Sequence, residues 1–172
     1  MKYLTAPISF KRAIPTSCIL LLTTMLSAGA AAHEPAGPYQ LTVIADDAKG
    51  ERIMHGEYQT AIASINNRDV TEFSEANNLC VAYTMNGETT LAADACDKAL
   101  ALVESQPRTV STPKDLRRSL AVALSNRGVY KALSGDTQGA KIDLSRAVGL
   151  RANLRQATQN LSRLASTESV AS

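Results

Sequence analysis

The chain has 172 residues, of which 45% are hydrophobic but only 4% aromatic, with no tryptophan, and its formal net charge is +2. Abundant alanine and leucine with few aromatics favour closely packed helices over a sheet. The positive excess sits in the first residues, Lys2, Lys11 and Arg12; beyond residue 32 the chain carries 15 basic and 16 acidic residues, which leaves no general basic character to account for.

Those three cations precede an apolar, uncharged stretch, residues 19–32, that ends in small residues. This is the layout of a secretory signal, with cleavage expected after Ala32 and Ala30 as second choice. The stretch is shorter than the ~20 residues of a membrane span. Cys18 precedes the apolar core instead of closing it, so a lipid anchor is not expected. Residues 1–32 are therefore read as a signal peptide, and the product as periplasmic or secreted. The remaining 140 residues suffice for one domain, with no second segment of spanning length.

Residues 33–44 read as a flexible or extended arm: a Pro- and Gly-rich lead, then Gln-Leu-Thr-Val-Ile at 40–44, a strand-like run with no evident partner. Asp46 and Asp47 suit the start of a short helix to about His55. A second helix is expected over 57–66, with Tyr58, Ala61, Ile62 and Ile65 at helical spacing. A helix over 71–84 breaks at Asn86 and Gly87, and another over 88–105 places Leu91, Ala92, Ala95, Ala99 and Leu102 on one face. Residues 106–112 form a loop. Pro113 opens a long helix to about Leu133, stopped by Ser134, Gly135 and Asp136, and helices over 137–148 and 153–165 precede a disordered tail, 166–172.

A glycine followed five residues later by alanine recurs at each turn: Gly56 and Ala61, Gly87 and Ala92, Gly135 and Ala140. Asn78, Leu79, Cys80, Gly87, Ala92, Cys96 and Ala99 align with Asn126, Arg127, Gly128, Gly135, Ala140, Leu144 and Ala147 at a constant offset of 48, and a further 34 residues reach Asn160, Leu161 and Ser162. This pattern resembles the tetratricopeptide repeat family, in which each repeat is a pair of antiparallel helices. The resemblance covers residues 71 to 165. It implies an all-α, TPR-like α-solenoid over 45–165, with a half-repeat at 45–68, repeats at 71–105 and 114–150, and a capping helix at 153–165. Departures are Arg68 in place of an alanine, Lys131 where Tyr83 keeps the usual aromatic, no closing proline, and about 14 inserted residues around 106–116.

In a hairpin turning near Gly87 and Glu88, Cys80 and Cys96 stand level on the two helices, so a disulfide is expected in an oxidising compartment. In related repeats an asparagine just before the small residue reaches a bound peptide backbone. Asn78, Asn126 and Asn160 match it, with Arg127, Lys131 and Arg163 as possible partners for carboxylates.

No nucleophile elbow, phosphate loop, zinc signature or dinucleotide fingerprint occurs, and neither a cofactor nor catalysis is expected. Asp46 with Asp47, and Asp94 with Asp97, read as a helix start and a solvated face. A terminal His33 would offer copper an amine and an imidazole, a remote metal-binding alternative. Residues 33–107 hold 12 acids and 4 bases and residues 108–172 hold 4 acids and 11 bases. Export and the lack of interleaved aromatics argue against nucleic acid. The expected function is a non-catalytic scaffold for a peptide or protein partner, acidic partners included; the alternative is an envelope component that self-associates through its oppositely charged halves.

Overall fold

The computed structural model describes residues 2–7, 38–65, 70–105, 112–151 and 153–170. Among these the chain is mostly helical: β1 (Tyr3–Pro7), β2 (Gln40–Ile44), α1 (Ala48–Met54), α2 (Tyr58–Ser64), α3 (Phe73–Asn86), α4 (Thr89–Glu104), α5 (Pro113–Leu133), α6 (Thr137–Leu150) and α7 (Arg155–Val170). No helix among the described residues is long and apolar enough to cross a membrane.

Local chemistry sets the helix starts. Asp47 accepts hydrogen bonds from the Lys49 and Gly50 amides to cap α1, Thr112 caps α5 with Pro113 in its first turn, and Asp136 caps α6 through the Gly139 amide. Gly87 and Gly135 end α3 and α5 with φ of +78° and +90°, a left-handed turn that folds each helix back on the next. The alanines five residues after these glycines, Ala92 and Ala140, are completely buried, as is Ala61 after Gly56.

Two hairpins result, α3 on α4 and α5 on α6, with α1 and α2 before them and α7 packed on α5 and α6 behind. In the first hairpin Cys80 and Cys96 lie at bonding distance, sulfur to sulfur 2.06 Å and Cα to Cα 4.6 Å. In the second, Gly128 and Leu144 take the aligned positions, and a Cβ on Gly128 would come within 2.8 Å of the Leu144 side chain.

The departures from sequence expectation lie at the ends. Strand β2 does have a partner: it pairs antiparallel with β1, Tyr3 opposite Ile44 and Pro7 opposite Gln40. Residues 40–44 are extended, as one of the two expectations for the arm had it, and Leu41, Thr42, Val43 and Ile44 are all buried. Helix α7 continues to Val170, past the expected stop at 165, so most of the segment read as a disordered tail is helical. Of the inserted segment, residues 112–116 belong to the cap and first turn of α5; residues 106–111, like Arg68 and His33, lie outside the described residues.

Candidate backbone-binding groove

Three helices each turn one of the three recurring asparagines toward β2. Asn78 on α3 accepts from the Ile44 N–H at 2.9 Å and donates to the Ile44 carbonyl at 2.8 Å. Asn126 on α5 does the same for Thr42, at 2.8 and 2.9 Å, and Asn160 on α7 for Gln40, at 2.7 and 2.8 Å. An extended chain turns the N–H and C=O of alternate residues to the same edge. The asparagines thus take residues 44, 42 and 40 in succession, and the strand runs opposite to the order of the helices.

A carboxamide carries a donor and an acceptor side by side, which match the N–H and C=O of one extended residue. The three amides replace a neighbouring strand. They read backbone and leave side-chain identity to the pockets. Those pockets are apolar: Leu41 and Val43 enter a cluster with Ile53, Val81, Val129 and Leu144, while Ile44 joins the larger cluster around Phe73, Leu79 and Leu124. Beneath Ile44, α1 approaches so closely that a Cβ on Gly50 would lie 2.1 Å from the Ile44 carbonyl oxygen. A side chain there would force α1 off the strand.

A second tier of polar groups was not evident from the repeat. Asn77, completely buried, donates to the Thr42 carbonyl at 3.0 Å and accepts from Asn126 at 2.9 Å. One repeat later Ser125, also completely buried, lies 3.4 Å from the Asn160 amide. Asn77 and Ser125, which precede two of the groove asparagines, thus steady the groove asparagines of α5 and α7. The signal available in the sequence was a polar residue at position 77 and at position 125, the same offset of 48.

The other expected contact residues have different tasks. Arg127 holds Asp143 through two nitrogens, at 2.7 and 2.8 Å, and Asp97 on α4 at 2.7 Å; Lys131 lies 2.9 Å from Asp143. Burial alone would raise the Asp143 pKa, but hydrogen bonds from Arg127 and Lys131 outweigh it and hold the carboxyl below its ordinary value. The Asp143 hydrogen bond likewise raises the Arg127 pKa above its usual value. Arg127 and Lys131 are thus matched to carboxylates of their own chain. Asp97, read as part of a solvated pair, ties α4 to α5. Arg163 lies over the Tyr39 ring, 5.3 Å from its centroid, just before β2.

Among the described residues no group of three or more His, Cys, Asp or Glu is placed to hold a metal ion. A surface cavity of about 310 Å³ between the ends of the hairpins is lined by Tyr83, Met85, Ala92, Tyr130 and Leu133, with hydroxyl and amide groups as its polar components. Comparison with protein-family models, with curated proteins and with solved structures found no match to this chain.

Proposed function

We propose that this chain is an exported, non-catalytic interaction scaffold of TPR-like helical hairpins that receives a protein or peptide partner in extended conformation. The observation that carries the reading is the asparagine ladder, which fastens a strand by its backbone at residues 40, 42 and 44. A groove that binds backbone fixes the strand within it in extended conformation. The chain's own arm fills it, with Leu41 and Val43 completely buried. The partner therefore meets a surface composed of arm and helices together, because displacing the arm would expose this apolar surface to water.

A scaffold that clamps an acidic tail through Arg127 and Lys131 is less well supported, since both are engaged by Asp143. The test is capture from the envelope of the native cell with tagged protein, whose N-terminus is read by sequencing. A start at His33 and a captured partner lost on Asn126→Ala are expected. An uncleaved Met1 would end the export reading, and capture unchanged by Asn126→Ala would end the groove reading. Sedimentation at low and high salt separates the self-association alternative, which requires an oligomer that salt dissolves.

A further inference from the structure

Strand β2 has two edges, and the asparagines serve one. The N–H and C=O groups of Leu41, Val43 and Ala45 point the other way, as the alternation of an extended chain requires. There they meet β1: Leu41 stands opposite Ala6, Val43 opposite Leu4, and the Ala45 N–H donates to the Lys2 carbonyl at 2.9 Å. All of β1 lies within residues 1–32, the segment with the layout of a cleavable leader. Its removal would strip partners from the N–H and C=O groups of Leu41 and Val43 and from the N–H of Ala45, along an otherwise enclosed strand. An uncovered edge of this kind is a template for another strand.

The edge also has a side-chain socket. Tyr3 packs against the main apolar cluster, its ring lies 4.1 Å from the Arg118 guanidinium carbon, and its hydroxyl is 3.4 Å from the Ser119 hydroxyl. Both partners are on α5, and Ser119 is buried. Leu4, by contrast, is 46% exposed. The seat thus has two demands: backbone groups in extended register, and an aromatic ring opposite Ile44. Arg118 supplies a cation for the ring face, and Ser119 a polar group for a phenol.

We propose that, after residues 1–32 are removed, the free edge of β2 accepts an uncharged, extended segment of a partner protein as an antiparallel strand, with an aromatic residue opposite Ile44 seated between Arg118 and Ser119. The occupant's chemistry is read from Tyr3, Leu4 and Thr5, which hold the place while the leader is attached. Binding is thereby coupled to export: the precursor closes its own edge, and the processed protein opens it. This deepens the scaffold reading and rests on the leader cleavage in it.

The experiment titrates a fluorescein-labelled peptide of residues 2–7 with three proteins: the processed protein, the full-length chain, and the full-length chain carrying Leu4→Pro. The proline removes an N–H that faces Val43 and unseats β1 without touching a helix. Saturable binding is expected for the processed protein and for Leu4→Pro, and none for the full-length chain. N-methylation of the peptide at Leu4, or Tyr3→Ala in it, weakens binding about tenfold, the effect of losing one good hydrogen bond or ring contact. No saturable binding to Leu4→Pro with its helical circular dichroism intact overturns the proposal, even where the processed protein does not fold. Binding indifferent to N-methylation does so too, as does a dimer of the processed protein that the peptide cannot dissolve, which gives the edge to a second copy. An uncleaved leader in the cell would remove the export reading alone, because Leu4→Pro still tests the edge.

Discussion

The two hairpins meet the same packing problem with different chemistry. At aligned positions α3 and α4 are joined by Cys80 and Cys96, whereas α5 and α6 are brought together by the absent side chain of Gly128, with Leu144 over it. The contrast extends along the interface. Arg127, Lys131 and Asp143 form an ion network in the second hairpin, where the first has Leu79, Tyr83 and Ala95 at the matching offset. The two hairpins therefore share a backbone spacing that one secures covalently and the other sterically and electrostatically. The groove asparagines are the part held constant, because only a carboxamide at that site fits the backbone of residues 40, 42 and 44.

The largest effect expected from breaking this contrast is at Asp143. It is 1% exposed, and Asp143→Ala would leave Arg127 and Lys131 without their shared carboxylate, at a cost of about 3–5 kcal/mol in urea unfolding. The equivalent change in the first hairpin, Ala95→Gly, removes no charge partner and should lose about 1 kcal/mol. Next is the staple. Replacing Cys80 and Cys96 together by serine should cost about 3 kcal/mol, from release of a loop spanning a sequence separation of 16. Reducing agent should reproduce that loss in the native chain, with amide exchange rising first in α3 and α4.

A smaller change is expected for Gly128→Ala. Its Cβ would collide with Leu144, and the gain in helix propensity offsets part of the strain, leaving about 1 kcal/mol of destabilisation. Leu144→Val in the same chain should relieve the collision, and a non-additive double-mutant cycle would register the contact. If Gly128→Ala proved neutral without relief, close approach would not be what the glycine supplies. The smallest effect is acid sensitivity. The folded pKa of Asp143 is depressed, so its stabilisation is present above the unfolded carboxylate value, about 3.9, and is lost as pH falls through the folded value. Hydrogen exchange corrected for intrinsic rate should show α5 and α6 loosening before α3 and α4 as pH falls below about 4.

The hairpins were legible in the sequence because their determinants are local. Gly87 and Gly135 mark left-handed turns, Pro113 opens α5 where the pattern places it, and the two cysteines stand level about a turn whose position the glycine reveals. The groove asparagines were legible through their recurrence, although what they hold was not. Nothing within residues 40–44 announces that the chain folds back into its own groove, since that contact joins residues up to 120 positions apart. Arg127 and Lys131 looked free for the same reason: Asp143 lies on another helix, and its approach depends on how the helices meet.

The sequence by itself determined the helices, their turns, the level pairing of Cys80 and Cys96 and the three recurring asparagines, all of which follow from short-range spacing and backbone geometry. Tertiary structure alone decided the occupant of the groove, the pairing of β1 with β2 and the fate of the basic side chains. These depend on which surfaces, far apart along the chain, satisfy each other's hydrogen bonds and charges when water is excluded.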